Sequence, residues 1–246
     1  MTTDHDSSTP PIQLQQQYWN NWNVQWREQR PPNSESIQRA EKIWGWFRAL
    51  PVSQPRILDL GCGNGWFAER LSQFGDVTGV DLAKDVIERA QIRAPHIRFL
   101  AGDVLTIPLP EHSFDVVVTM EVLGHLPDHH RFIQRIVSCL KPGGYLLMTT
   151  QNKFVLDRCD VHPQGAGQIR TWTDRPALRA LLAPHFEILQ LETVTPADGH
   201  RGCLRLVNSV KLTRLLTLLM SPESLGRIKE RMGLGKLFAV MARRLP

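Results

Sequence analysis

The sequence predicts an α/β fold, a largely parallel sheet covered by helices on both faces. Apolar Val/Ile/Leu runs alternate with amphipathic stretches from Pro55 onward. The first run leads into a glycine-rich turn, and the next two end at aspartates. A chain of 246 residues, 42% apolar and 22% charged, is enough for one large domain or two small ones, and this balance excludes wholesale disorder.

Residues 1–11 are polar and end in Pro10-Pro11, which reads as a disordered leader. From Ile12 to about Glu28 the pattern is helical, with Tyr18, Trp19, Trp22 and Trp26 three and four apart on one face. Arg30-Pro31-Pro32-Asn33 stops it, and a second helix begins with Ser34 as N-cap and ends near Leu50. Aromatics at this density need a surface to cover, so residues 1–50 are expected to form the leader and a helical lid. Strands are expected at 56–60, 77–80, 97–101, 114–119 and 145–150, with helices at 65–74, 83–92 and 129–140. A looser stretch, 151–170, holds Gly165 and Gly167. Thr173 caps a helix to Leu182, and strands follow at 186–192 and 237–242. Between those two strands, about 204–232 has a helical pattern too long for an ordinary connection. Its Leu212, Leu215, Leu216 and Leu219, interleaved with Lys211 and Arg214, could lie on a membrane surface; a buried amphipathic cap on the substrate side is the simpler account.

No apolar run approaches the ~18–20 residues of a membrane span. The N-terminus has neither a basic nor an apolar signal region, and Cys62, Cys139, Cys159 and Cys203 show no CxxC spacing. A cytoplasmic chain with reduced thiols is expected. Charge is uneven: 210–246 carries eight Lys/Arg against two acids, whereas 57–209 carries fifteen against seventeen. The basic tract is either a solvated face or a weak contact for a membrane surface or acidic partner. No DNA partner is expected, and the chain is expected to be a monomer or homodimer.

The sharpest feature is Ile57-Leu58-Asp59-Leu60-Gly61-Cys62-Gly63-Asn64-Gly65. Gly61 permits a tight turn, and Gly63 and Gly65 let the main chain approach a ligand. A dinucleotide fingerprint needs a further glycine where Trp66 stands, so a nicotinamide oxidoreductase fits poorly. Asp81 ends the second strand, placed to accept from ribose hydroxyls, and Asp103 follows the third, within reach of an adenine amino group. Asp59 lies near a cationic ligand end or orients the glycine loop. Together they describe a nucleoside pocket at the sheet's switch point.

The run 57–67, then Gly79-Val80-Asp81, Gly102-Asp103, Phe114-Asp115-Val116-Val117 and Leu140-Lys141-Pro142-Gly143-Gly144, resembles the class I S-adenosylmethionine-dependent methyltransferases in order and spacing. The resemblance implies a Rossmann-like seven-stranded sheet in order 3-2-1-4-5-7-6 with strand seven antiparallel. It implies a methyltransferase domain over 51–246, with a cofactor-binding half at 51–154 and an acceptor-side half at 155–246. Gly61 and Gly63 would lie against the methionine portion of S-adenosylmethionine, Asp81 would hold the ribose, and Leu82, Asp103 and Val104 would bound the adenine. Asp59, Cys62 and Met120 complete the set assigned to the cofactor. Within the family, 118–128 is most similar to the small-molecule O-methyltransferases of ubiquinone biosynthesis, which usually read Glu-Val-Leu-Glu-His-Val; here Gly124 replaces the second glutamate.

The implied activity is methyl transfer to a small-molecule acceptor, at oxygen. An RNA or protein methyltransferase that holds its target with the basic insertion is the alternative; the Asn-Pro-Pro-Tyr type motif of amine methylation is replaced by Thr119-Met120-Glu121-Val122. His125 is the candidate catalytic residue, either a general base or a loop-ordering histidine. Glu121 reads as a cofactor-side or structural acid. His129 and His130 are adjacent and start a helix, so they point apart, and Asp128 is a natural N-cap; no metal site is assigned.

Overall fold

A computed structural model describes residues 9–199 and 201–246. Residues 1–8 of the expected leader lie outside the described residues. Helix α1 (Ile12–Asn23) runs on through a π-turn, Val24–Glu28, and α2 spans Ser34–Ala49. The N-cap of α2 is Asn33 and not Ser34, because the Asn33 side chain accepts the Ser36 N–H at 2.8 Å.

The α/β body follows as β1 (Arg56–Leu60), α3 (Trp66–Leu71), β2 (Asp76–Asp81), α4 (Lys84–Arg93) and β3 (Arg98–Ala101). Next come β4 (Phe114–Met120), α5 (His129–Cys139), β5 (Leu140–Gln151) and α6 (Lys153–Leu156). The chain ends with α7 (Arg175–Leu182), β6 (Phe186–Pro196), α8 (Cys203–Val207), α9 (Val210–Thr217), α10 (Pro222–Arg231) and β7 (Gly235–Arg244). Asp174, not Thr173, caps α7, accepting the Ala177 N–H at 2.9 Å. The sheet order is β3-β2-β1-β4-β5-β7-β6, and β7 is antiparallel to both neighbours.

Strand alternation sorts the core into two layers. Leu58, Val117, Leu146 and Val240 face α5 and α7 through Phe132, Ile136, Leu178 and Leu182. Ile57, Val116, Leu147 and Ala239 face the other way, onto Ile43 and Phe47 of α2, Phe67 of α3 and Ile87 of α4. Helix α2 is therefore part of the sheet's covering layer. The lid expected over 1–50 narrows to α1 and its π-turn. Trp26 does not join Tyr18, Trp19 and Trp22, which are half-buried; it is 45% exposed, with the Arg30 guanidinium 4.5 Å from its ring.

The long insertion is the region where the sequence reading departs furthest from the fold. Helix α10 is held to β6, where Thr193 Oγ1 donates to the Glu230 carbonyl at 2.6 Å and the Thr195 N–H donates to Glu230 Oε1 at 3.0 Å. Helix α9 sits outboard of it with no buried residue, so its leucines do not form a buried cap. Among the described residues no helix is long and apolar enough to cross a membrane.

The two-layer core sets a stability contrast. Phe132, fully buried between α5 and the sheet, costs about 3–5 kcal/mol when cut to alanine, whereas Trp26→Ala stays within about 0.5 kcal/mol. Urea denaturation of the two variants measures the difference.

Candidate active site

A cavity of about 600 Å³ opens at the carboxyl ends of the central strands. All ten residues singled out from sequence line it: Asp59, Gly61, Cys62, Gly63, Asp81, Leu82, Asp103, Val104, Met120 and His125. Beside them stand Trp19, Trp22, Asn23, Arg27, Arg39, Glu121 and Gln168, contributed by α1, its π-turn, α2, the end of β4 and the 151–170 loop. Among the described residues, none from the insertion's helices lines this wall.

The glycine turn is shaped by close approach. Gly61 adopts φ +78°, and a Cβ there would strike the Val122 side chain. The freed backbone is then pinned: the Gly63 N–H donates to Asp81 Oδ2 at 2.7 Å, and the Ala83 N–H donates to Asp81 Oδ1 at 2.9 Å. Burial raises the Asp81 pKa while those N–H groups pull it back. Asp103 Oδ1 accepts the Leu105 N–H at 2.9 Å. Asp59 is 1% exposed and its Oδ2 has no hydrogen-bond partner among the described residues. Burial, with the Asp81 charge adding, raises its pKa to about 7. Burial likewise pushes the Cys62 thiol well up, so it is a packed thiol and not a nucleophile.

An unpartnered buried carboxylate oxygen in a cavity wall calls for a donor, and a cationic ligand end supplies one. Bare glycine backbone, acids at the ends of successive strands and the apolar Leu82 and Val104 suit a nucleoside bearing such a cation. S-adenosylmethionine fits this donor set.

Helix α1 covers the cavity and is fastened to the next β–α unit. Gln16 Nε2 donates to the Leu82 carbonyl at 3.2 Å, Asn20 Nδ2 to Asp85 Oδ2 at 3.0 Å, and Arg89 pairs with Glu28 at 2.9 Å. Gly165 and Gly167 let the 151–170 loop lie against the Tyr18 ring and the Leu14 backbone. Arg27 does not point into open solvent. It donates to Ser36 Oγ at 2.7 Å, as Arg39 does at 2.9 Å, and Arg39 Nε stands 2.7 Å from Glu121 Oε1. The two guanidiniums thus meet at the Ser36 hydroxyl and only Arg39 is paired with a carboxylate, leaving positive charge for an anionic group of a ligand. Burial and the Arg39 charge lower the Arg27 pKa.

Glu121 takes φ +62°, a strained turn for a non-glycine residue, and its N–H donates to the Thr149 carbonyl at 2.8 Å. This swings the chain from β4 into the 3₁₀ turn Leu123–His125 and aims His125 at the cavity. His125 Nδ1 lies 2.8 Å from the Ile169 carbonyl, which can only accept, so the proton sits on Nδ1 and the lone pair on Nε2. Gln151 Nε2 approaches that lone pair at 3.3 Å as donor. Trp19 packs edge-on to the imidazole, with centroids 4.9 Å apart. Burial lowers the His125 pKa, which favours the neutral ring. Gly124 makes this possible: a Cβ there would collide with the Gln151 side chain and crowd Trp172. The loop-ordering and lone-pair readings of His125 are therefore compatible, one on each ring nitrogen. His129 Nε2 instead meets Thr171 Oγ1 at 3.0 Å, and Asp128 caps α5.

Sequence reasoning missed Asn23, Arg39, Gln151 and Gln168. The polar run Thr149-Thr150-Gln151-Asn152, closing a central apolar strand, was a usable signal for Gln151. Asn23 and Arg39 look like any polar helix position until the helices are placed.

Two titrations test this electrostatic picture. A carboxylate with a folded pKa of about 7 binds its proton more tightly folded than unfolded, where about 3.9 is usual. Its stabilisation is therefore present below about pH 4 and is lost as pH rises towards about 7, by at most about 1.4 kcal/mol per pH unit. Thermal midpoints should fall across that window in the native chain relative to Asp59→Asn. Gln151→Glu places a carboxylate at the lone pair and should raise the His125 pKa, read from the imidazole Cε1 proton in an NMR titration.

Residues 58–148 match the family model described as a methyltransferase domain. The ubiquinone biosynthesis O-methyltransferase of Albidiferax ferrireducens is 35% identical over 117 residues, 44% of this chain and 46% of that protein. The 27-O-demethylrifamycin SV methyltransferase of Amycolatopsis mediterranei is 39% identical over 101 residues, 38% of this chain and 37% of that protein. The chain thus spans less than half the length of these curated relatives. An S-adenosylmethionine-dependent methyltransferase structure from Mesorhizobium loti superposes with TM-score 0.57 at 25% identity, covering 83% of this chain and 98% of that one. The fold of N-methyltransferase NodS from Bradyrhizobium japonicum, solved with S-adenosylhomocysteine, matches with TM-score 0.64 at 18% identity over 94% of this chain and 98% of that one. The reversed β7 and the 58–148 match agree: the chain has the sheet of the class I S-adenosylmethionine-dependent methyltransferases, and residues 58–148 are similar to a methyltransferase domain.

Proposed function

We propose that the chain moves a methyl group from S-adenosylmethionine to an oxygen of a small-molecule acceptor. The observation that carries this reading is the His125 Nε2 lone pair, fixed by the Nδ1 bond to Ile169 and set in the cavity wall. Bound S-adenosylmethionine supplies a methyl group already activated on a sulfonium. The chain's own residues then have three tasks.

The first is to hold and orient. Asp59 and the bare backbone at Gly61 and Gly63 receive the amino-acid end. Asp81 receives the ribose, Leu82, Asp103 and Val104 bound the adenine, and Cys62 and Met120 complete the wall. Alignment of this kind contributes up to ~7–11 kcal/mol. The second is to exclude water, which falls to Trp19 and Trp22 on the strapped-down α1. The third is to take a proton: His125 Nε2 accepts that of the acceptor hydroxyl, a contribution of about 10²–10⁴ in rate. Oxygen as target is supported by the two curated relatives, each named for O-methylation chemistry. It is also supported by Thr119-Met120-Glu121-Val122 after the fourth strand's core, where amine methylation favours another motif.

Calorimetric titration with S-adenosylhomocysteine tests the cofactor half, with NADH for comparison. Binding at about micromolar Kd, abolished by Asp81→Ala and not matched by NADH, is expected. His125→Gln should keep that affinity and lose about 10²–10⁴ in kcat on whichever phenol, sugar or quinone precursor accepts the methyl group. Because burial lowers the His125 pKa, native kcat should rise with pH and reach its half-maximal value below about 6.5, the ordinary histidine value. A folded chain that ignores S-adenosylhomocysteine, or a His125→Gln variant with native turnover, would falsify this reading.

A further inference from the structure

Helix α9 presents its leucines to water. Leu212, Leu215, Leu216 and Leu219 recur at i, i+3, i+4 and i+7 along one stripe. On that stripe Leu212 is 38% exposed, Leu215 59% and Leu219 78%, with Leu216 half-buried, and the neighbouring Leu206 and Leu218 are 73% and 82% exposed. An eight-residue helix with no buried residue gains little from propensity alone, and contiguous exposed leucines mark a surface that something covers.

Charge says what that is. No acid occurs between Asp198 and Glu223, while Arg205, Lys211 and Arg214 are exposed and carry no ion pair among the described residues. A second copy docking through the same face would bring these cations against each other with no carboxylate between them. An anionic bilayer satisfies both features: leucines enter the acyl boundary while the long cationic side chains reach the headgroups.

We propose that α8, α9 and the turn after it form a docking surface for an anionic lipid bilayer. The insertion leaves β6 at Pro196 and re-enters the sheet at Gly235. Because β6 runs parallel to β5, the insertion lies at the carboxyl end of the parallel strands, the end where the cavity opens. Docking there brings the cavity end of the sheet to the lipid surface, whatever the acceptor.

Co-sedimentation of the full chain with phosphatidylcholine vesicles, with and without phosphatidylglycerol, tests this. Binding is expected only with phosphatidylglycerol, weakening as added salt shortens the Debye length from ~10 Å at 0.1 M to ~3 Å at 1 M. The Lys211→Gln, Arg214→Gln double variant should bind about 25-fold more weakly, about fivefold for each cation removed. Leu215→Glu with Leu219→Glu should abolish binding while keeping the native far-ultraviolet dichroism and melting temperature, since neither side chain is buried. The proposal is overturned by no pelleting at low salt, or by equal pelleting with neutral vesicles. It is overturned equally by native pelleting of the leucine variant, or by a dimer in sedimentation velocity that the leucine variant dissolves.

Discussion

The site depends on one carboxylate that holds two turns at once. Asp81 takes the Gly63 N–H on one oxygen and the Ala83 N–H on the other, so the turn leaving β1 and the turn leaving β2 meet at a single group. Its neighbour Asp59 lies in the same dry wall, and two charges there repel. The donors decide which ionises. Asp81 has two N–H partners that stabilise its anion, whereas Asp59 Oδ2 has none. The wall therefore favours the charge on Asp81 and a proton on Asp59. A cationic group held beside Asp59 would favour its ionised form, which would link ligand charge to wall charge.

The lid inherits its position from the same turns. Gln16 bonds to the carbonyl of Leu82, the residue after Asp81, and Asn20 and Glu28 tie α1 to α4 just beyond it. Anything that loosens the Asp81 node loosens the surface on which α1 rests. Trp19 then connects lid to chemistry by packing on the His125 ring. Cofactor loops, lid and histidine form one mechanical unit, although they come from distant parts of the chain.

That distribution decides what the sequence could reveal. The sheet was readable because central strands buried on both faces carry near-continuous apolar runs such as Ile57-Leu58 and Val116-Val117-Val118. Asp81 and Asp103 were readable because a strand's carboxyl end is fixed by its apolar run. Gln151 and Arg39 were not, since their meaning depends on which residue lies opposite across the cavity. Caps slipped by one residue at Asn33 and Asp174 because neighbouring polar residues compete for the same N–H, and only backbone angles choose between them. The α9 leucines leave a buried cap and a membrane-surface face both open in the sequence for a different reason: helical periodicity gives the direction of an apolar stripe but not whether protein lies on that side.

Gly124 shows how one absent side chain can set a proton affinity. The ubiquinone-type sequences that this segment resembles usually carry glutamate at this position. Here even a Cβ would collide with the Gln151 amide and crowd Trp172, so a glutamate at 124 and Gln151 in its present place are mutually exclusive. The exchange matters electrically. A carboxylate beside the imidazole would favour the charged ring, and a charged ring has no lone pair to accept a proton. The neutral amide donates to Nε2 without adding charge, burial lowers the pKa, and the Ile169 carbonyl holds the other nitrogen protonated. With glycine at 124, burial therefore favours the neutral His125 ring, whose Nε2 lone pair faces an amide and not a carboxylate.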